Sequence, residues 1–142
     1  MRLILVIALV AALGYDATAL SATETSIARF REREYAHSRV GTFGGAPESW
    51  RVKIYLRNVQ QVIGTGYFGC QKNAPGSPEL LCVGVYVLPR GSIYLQGLVR
   101  RRSNYNLVVV AGSGVYSGMG GEGHFVGIAT SPRQALVTFF LK

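Results

Sequence analysis

The chain has 142 residues, of which 49% are hydrophobic and 15% charged, and its formal net charge is +8. That length provides one domain with one core, and the high hydrophobic fraction excludes a disordered chain. The 18 glycines and 8 tyrosines favour strands and tight turns over helices.

The N-terminal segment, residues 1–22, predicts a secretory signal peptide. Arg2 precedes an unbroken apolar run, Leu3–Leu13, and residues 17–19 have the A-x-A pattern of a cleavage site. Because the run is too short to cross a bilayer, we expect no stable membrane span and a secreted, extracellular or periplasmic protein. An uncleaved apolar arm or membrane tether is the alternative. Residues 23–142 then form the single domain.

The remainder of the chain predicts eight strands. Short apolar or alternating runs are separated by Gly, Pro, Asn and Ser, as in barrels and sandwiches. Residues 23–36 also carry charges at helical spacing, so a short helix stays open as an alternative to the first strand. The predicted strands are Ile27–Tyr35, Arg51–Asn58, Gln61–Cys70, Leu80–Leu88, Ser92–Val99, Tyr105–Ala111, Glu122–Ile128 and Ala135–Leu141.

Several of these strands are apolar on both faces, as in Leu107–Ala111 and Val137–Leu141. Neither face of such a strand can simply be solvated. A closed barrel covers one face with its own interior, and a subunit partner or the N-terminal segment would cover the other. We therefore predict an all-β, calycin-type, eight-stranded closed antiparallel barrel that forms a homo-oligomer, a dimer or a trimer.

The two cysteines predict a disulfide. Cys70 and Cys82 flank the turn-rich segment 73–78, so a bond between them would join the two strands of a hairpin. An exported chain with no third cysteine favours this bond over two buried thiols. The histidines, His37 and His124, are too distant to complete a recognisable zinc spacing, and no metal site is expected.

The net positive charge does not by itself indicate a nucleic-acid partner. Arg100–Arg102 is the densest basic cluster; phosphate, anionic lipid or an acidic substrate could bind it, but a solvated loop is the simpler interpretation. No recognition helix or RNA-binding aromatic motif accompanies the charge. Two matches to G-x-G-x-x-G, at 64–69 and 118–123, lack the helix that a dinucleotide site requires.

Two groups of residues are candidates for a functional site. Glu122 and His124 are two apart on a predicted strand, so they share a face and could act as an acid–base pair; a surface pair is the alternative. Tyr67, Tyr86 and Tyr94 lie on three successive strands and are candidates to bind a substrate in the lumen. For Tyr86 and Tyr94, the alternative is a band of aromatic side chains at a contact between subunits.

Four segments of the chain, and their order, are similar to those of a known family. They are 62–70, Gly91–Gly97 (GSIYLQG), Ala111–Gly118 (AGSGVYSG) and 137–142. From Gly41 to the C-terminus the sequence resembles the allene oxide cyclase-like barrels, which are related to dirigent proteins. The resemblance implies an eight-stranded barrel, no cofactor, and a hydrophobic lumen that holds a reactive substrate in one cyclisation geometry. Such positioning accelerates ring closure with little acid–base help.

The resemblance also suggests a catalytic carboxylate. Plant allene oxide cyclases place a glutamate on the first strand, with a proline-associated water and asparagines nearby, and Glu34, or Glu32, takes that position here. The following residues 36–39 contain no proline, and Val52 occupies the position that we align with the strand-two asparagine. These departures argue against the allene oxide reaction itself.

The leading hypothesis is a secreted, cofactor-free cyclase or isomerase that binds a hydrophobic small molecule, with Glu34, Glu122 and His124 as candidate catalytic residues. It predicts an open lumen with a buried ionisable group of shifted pKa. A non-catalytic dirigent-like or carrier barrel predicts an open but wholly apolar lumen. A structural barrel that binds an envelope polymer through its basic face predicts a lumen filled with side chains.

Overall fold

A computed structural model describes residues 26–39, 48–100 and 104–142, and in this part of the chain eight antiparallel strands form one closed barrel. Each strand pairs with its neighbours in sequence, and β1 pairs with β8 to close the sheet. The predicted barrel is confirmed, and residues 26–36 belong to a strand rather than a helix. The strands are β1 Ser26–Arg39, β2 Glu48–Leu56, β3 Val62–Lys72, β4 Glu79–Leu88, β5 Gly91–Arg100, β6 Asn104–Gly112, β7 Gly121–Thr130 and β8 Arg133–Leu141.

The two ends of the barrel differ. We call the end at which β1 finishes and β2 begins the upper end; the two-residue turn 131–132 between β7 and β8 lies there. The lower end carries the turn 89–90 between β4 and β5, together with the short 3₁₀ helix Gly114–Tyr116. Both turns lie between predicted strands, and each contains a proline. The predicted signal peptide lies outside the described residues.

Side chains alternate between the lumen and the outer face along each strand, because the side-chain period of a strand is two. The inward rows supply large apolar groups that are almost completely buried. They fill the lower and middle parts of the lumen and form one continuous core. The largest of these buried side chains are Phe30, Ile54, Tyr86, Phe125 and Phe139.

Two inward glycines leave room for the rings of neighbouring strands. A Cβ at Gly84 would lie 2.5 Å from the ring of Phe68, and a Cβ at Gly66 would lie 2.6 Å from Val52 Cγ2 and 3.0 Å from the ring of Tyr86. Glycine in a strand interior is generally weakening, and it occurs where another group approaches closely. Glycine at these two positions therefore costs some strand stability, but it leaves the space that the neighbouring aromatic rings occupy in the lumen.

The predicted disulfide is confirmed. Cys70 and Cys82 are directly opposite each other on β3 and β4, their sulfurs are bonded, and both residues are buried. The bond closes the hairpin near the upper end of the barrel. The described residues include no free cysteine.

Arg100 is the residue of the predicted basic cluster that the structure describes. Arg100 is the last residue of β5, and its Nε lies 3.3 Å from Glu79 Oε1 on β4. Residues 101 and 102 lie outside the described part of the chain. Within the described ranges, no helix has the length and apolar character needed to cross a membrane.

The outer face is apolar over a large part of β4 to β7. Half-exposed apolar side chains stand on four neighbouring strands, and the exposed carboxylate of Glu122 on β7 lies among them, opposite Val108. This matches the expectation that several strands are apolar on both faces. The most exposed members are Val83 on β4, Leu98 on β5, Val108 and Val110 on β6, and Ile128 on β7.

Candidate functional site

A cavity of about 730 Å³ occupies the upper part of the lumen, where the core side chains no longer fill the barrel. Its volume is in the range of pockets that bind small molecules. Part of the wall is apolar, formed by residues such as Leu80, Val99 and Leu107. The polar and aromatic part of the wall includes Glu34, His37, Glu48, Trp50, Tyr105 and Arg133.

A column of four rings and one guanidinium group crosses the lumen at this level. The ring of Phe68 stacks on Trp50, with centroids 5.6 Å apart and planes at 18°. Arg133 Cζ lies 5.7 Å from the Trp50 ring and 5.5 Å from the Tyr105 ring. Tyr105 in turn stacks on Phe125, with centroids 4.7 Å apart. The guanidinium of Arg133 is therefore held between two aromatic rings from β2 and β6.

Tyr86 lies next to the ends of this column. Its ring makes edge contacts with Phe68 at 5.9 Å, with Phe125 at 6.4 Å and with Phe139 at 5.3 Å. Edge-to-face packing of this kind favours a fixed geometry. The ring cluster lies below the cavity and belongs to the buried core that fills the lumen there.

Glu32 is the one buried charged residue in the described part of the chain. Its carboxylate accepts a hydrogen bond from the Tyr86 hydroxyl. Burial raises the pKa of Glu32 from its ordinary value of 4.5 to about 7, although the Tyr86 hydrogen bond and the charge of Arg133 act in the opposite direction. A carboxyl group with this pKa can both donate and accept a proton near neutral pH.

The two inward tyrosines remain protonated. Burial raises the pKa of Tyr86 well above its ordinary value, and the nearby charge of Glu32 acts in the same direction. Burial and Glu32 also raise the pKa of Tyr105, whose buried hydroxyl has no hydrogen-bond partner among the described residues. Both hydroxyls therefore stay neutral donors. Glu32 is one level deeper than the cavity wall, because it pairs with Ala135 while Arg133 lies two residues nearer the upper end.

A histidine and two carboxylates lie at the rim of the cavity. His37 Nδ1 is 3.9 Å from Glu34 Oε1, and His37 Nε2 is 3.6 Å from Glu48 Oε2. The imidazole also makes an edge contact with Trp50, with ring centroids 6.3 Å apart. Among the described residues, no group of three or more His, Cys, Asp or Glu side chains is arranged to hold a metal ion.

The structure separates the tyrosines that the sequence suggested as substrate contacts. Tyr86 points into the lumen, but Tyr67 and Tyr94 are 44% and 42% exposed on the outer face. Strand alternation explains the difference: the neighbours of Tyr67 are Gly66 and Phe68, which both point inward. The expectation that all three tyrosines line the lumen is therefore corrected for Tyr67 and Tyr94.

The carboxylates are separated in the same way. Glu34 lines the cavity, as its position on the first strand suggests. Glu122 and His124 share a face and lie 3.1 Å apart, but that face is the outer one, and the Glu122 side chain is 62% exposed. They flank the inward Gly123 on β7, so they cannot point into the lumen with it. The pair therefore does not meet Glu34.

Sequence reasoning missed Arg133 and Trp50 and gave Glu32 only as an alternative to Glu34. One signal was present: Glu32 is two residues after the apolar Phe30, and Arg133 is two residues before Ala135. A period of two places each of them on the buried face of its strand. A charged residue in phase with a buried row is an indication of a functional group.

Comparisons with known proteins give evidence on the fold. No protein-family profile matches the sequence, and no curated protein matches it. Solved structures do match. A pyocyanin demethylase superposes with a TM-score of 0.68 at 17% identity, over 82% of this chain and 99% of the other.

Two further structures connect the fold to other chemistries. A pterocarpan synthase dirigent protein superposes with a TM-score of 0.64 at 10% identity, covering 87% of this chain and 91% of that one. An exo-specific intermolecular Diels-Alderase superposes with a TM-score of 0.63 at 14% identity, covering 82% of this chain and 98% of that one. At these identities the likeness concerns the fold. The chain therefore has the closed barrel fold that dirigent proteins share with Diels-Alderases and related cyclases.

Proposed function

We propose that the protein is a cyclase or isomerase that needs no cofactor, binds a hydrophobic small molecule in the upper lumen and directs its rearrangement. The observation that carries this proposal is an open cavity directly above a buried carboxyl group, Glu32, whose pKa is about 7. A structural barrel would be filled throughout, and a simple carrier has no need of a buried ionisable group. The cyclases among similar folds add support.

The proposed mechanism combines positioning with one proton transfer. The apolar wall and the ring column would hold a flexible substrate in a near-attack conformation. Glu32, hydrogen-bonded to Tyr86 one level below the cavity wall, would supply or remove the proton of the rearrangement, and Glu34 and Glu48 are the described carboxyl groups that line the cavity itself. An isomerisation or cyclisation of this kind leaves the elemental composition unchanged.

A non-catalytic dirigent-like or carrier barrel is the second candidate. It is favoured by the position of Glu32, which does not itself line the cavity; its cavity-lining neighbours are Glu34, Tyr105 and Arg133. In this case the ring column would only shape a binding site, and the buried carboxyl group would contribute to the electrostatics of the lumen.

Analysis of bound small molecules distinguishes the two candidates. Wild-type protein and the variant Glu32→Gln are purified from the native source, and extracts are compared by native mass spectrometry and liquid chromatography. A cyclase should release a compound from the variant that has the same mass as the wild-type compound but a different retention time. The same compound from both proteins would favour the carrier, and a wild-type protein without any ligand would contradict both.

The matched control is Glu122→Gln, which removes a carboxyl group from the outer face. If the lumen performs the chemistry, this variant should release the same compound as wild type. A change comparable to that of Glu32→Gln would instead locate the chemistry at Glu122 and His124, the outer-face pair suggested by the sequence.

We also propose that the protein is secreted and forms a homo-oligomer. The disulfide is consistent with an oxidising compartment. The half-exposed apolar side chains of β4 to β7 support a second copy of the chain as the partner that covers them, because exposed apolar side chains grouped on neighbouring strands are a usual sign of an interface.

A further inference from the structure

We propose that the ligand of the cavity carries a carboxylate or a similar oxyanion, and that Arg133 is the residue that binds it. This inference rests on the proposed function, since it requires that the upper lumen binds a small molecule. It adds the chemical class of that molecule: an amphipathic acid with an apolar body and one anionic group.

The first argument is that the charge of Arg133 has no carboxylate partner. No carboxylate oxygen in the described part of the chain lies within 4.0 Å of its guanidinium, and none of its N–H groups makes a hydrogen bond there. Its contacts are the rings of Trp50 and Tyr105. Glu32 is close enough to interact electrostatically, but its carboxylate accepts a hydrogen bond from the Tyr86 hydroxyl instead.

The other charged groups of the wall are already paired. Arg100 lies 3.3 Å from Glu79, and His37 lies between Glu34 and Glu48. Among the described groups of the wall, Arg133 is therefore the cation whose guanidinium has no carboxylate oxygen within 4.0 Å. Its nitrogens are not among the buried unpartnered atoms of the structure, so they are open to the cavity.

The second argument concerns geometry. Aromatic rings attract the guanidinium through their faces but accept none of its N–H groups as a carboxylate does. Contacts with two rings restrict the long arginine side chain, so less conformational freedom is lost when a ligand binds. Such a preorganised guanidinium is suited to a planar, bidentate oxyanion.

The third argument is the composition of the remaining wall. Leu80, Val99 and Leu107 provide an apolar surface in the same cavity. The ring of Tyr105 contacts Arg133, and its hydroxyl, which has no partner among the described residues, is a further donor that a ligand oxygen could satisfy after a small side-chain rotation. An apolar body with a terminal oxyanion fits both parts of this wall.

Two fluorescent dyes test the inference. 8-Anilinonaphthalene-1-sulfonate and N-phenyl-1-naphthylamine share the same apolar rings, and only the first carries a sulfonate. We expect wild-type protein to bind both and to prefer the sulfonate. Arg133→Gln should weaken sulfonate binding about tenfold, the effect of losing a charged hydrogen bond, and leave the neutral dye within about twofold. Arg133→Lys should restore part of the preference.

The control is Arg51→Gln, which removes the same charge from the exposed outer face of β2. It should leave the binding of both dyes as in wild type. A variant that unfolds or loosens would bind more of both dyes rather than less of one, so loss of structure does not imitate the expected result.

The two proposals fail in different ways. If wild-type protein binds the neutral dye and shows no preference for the sulfonate dye, the role of Arg133 is overturned and a ligand-binding lumen remains. The same conclusion follows if Arg133→Gln weakens the binding of both dyes equally. If neither dye binds to the wild-type protein, the ligand-binding lumen itself is contradicted, and the inference falls with it.

Discussion

The hydroxyl of Tyr86 on β4 donates a hydrogen bond to the carboxylate of Glu32 on β1, and both groups are buried within the barrel. The two strands are not neighbours in the sheet, so the bond connects opposite parts of the wall through the lumen. A buried carboxyl group costs stability unless it is neutral or hydrogen-bonded, and the fold retains this one. Its retention motivates the proposed role in proton transfer.

Glu32 makes the stability of the protein depend on pH. Its pKa is about 7 in the folded chain and 4.5 as its ordinary value, so the native state binds more protons than the unfolded state between these values. The free energy of unfolding therefore falls as pH rises from 4.5 through about 7, by about 3 kcal/mol from this group.

The measurement is urea unfolding of wild type and Glu32→Gln at several pH values across this range. Tyr86, Tyr105, Arg133 and Glu34 face the same carboxyl group and are unchanged in the comparison, so the difference between the two proteins isolates Glu32. Parallel curves would show that this group does not titrate in the range.

Tyr86→Phe should raise the pKa of Glu32 further, because the hydroxyl stabilises the charged form of the carboxyl group. Above neutral pH the variant should lose about 1–3 kcal/mol of stability, the cost of a buried group without its partner. Carbon NMR of the labelled carboxyl group reads the pKa directly. Tyr55→Phe, on the half-exposed outer part of β2, is the matched control and should leave the Glu32 titration unchanged; an equal shift in both variants would contradict a direct effect.

Gly84→Ala tests how tightly the ring cluster is packed. The added Cβ would lie 2.5 Å from the ring of Phe68, which must then move against Trp50 and Tyr86. We expect a loss of about 1–3 kcal/mol, the usual cost of overpacking, in a thermal or denaturant unfolding experiment. Gly69→Ala, whose Cβ would meet nothing within 4 Å, should be neutral or stabilising. Equal losses in both variants would show that strand glycines matter here for backbone reasons alone.

Removing the disulfide should lower the free energy of unfolding of the barrel, but the protein should still fold. The bond joins residues that are 12 apart in sequence, and closing a loop of this size contributes about 3 kcal/mol in the chain-entropy model. The double variant Cys70→Ala and Cys82→Ala should show this loss in denaturant unfolding. Thiol labelling of the denatured, unreduced wild type should modify neither cysteine; labelling of both would disprove the bond in the isolated protein.

Charges on the apolar outer face should prevent the proposed self-association. Val110→Lys places a charge among half-exposed apolar side chains of β6 and β7, and burying it in an interface would be costly. We expect wild type to be a dimer or trimer by light scattering coupled to size-exclusion chromatography, and this variant to be a monomer. Gln134→Lys on β8 is the control outside the apolar surface. A monomeric wild type would contradict the proposal.

The fold could be predicted in some detail because it depends on local signals. Turn formers mark the strand ends, as at residues 89–90 and 131–132, and strands that are apolar on both faces require a closed sheet. The pairing of Cys70 with Cys82 followed from a single hairpin and the absence of another cysteine. Each of these inferences uses neighbouring residues, so the rest of the fold was not needed.

The site was less predictable, because it depends on which face of each strand points inward. Tyr86 occupies an inward position of its strand, whereas Tyr67 and Tyr94 occupy outward positions of theirs. A shift of one residue along a strand would exchange the lumen-facing and solvent-facing side chains. The same step places Glu122 outside the barrel.

The sequence by itself determined the eight strands, the barrel and the disulfide, since alternation and turn chemistry are properties of short segments. Only the tertiary structure decided that Arg133 lies between Trp50 and Tyr105 and that Tyr86 reaches Glu32. These residues come from strands that are far apart in the chain, and their distances are set by barrel closure and strand register, which no short segment contains.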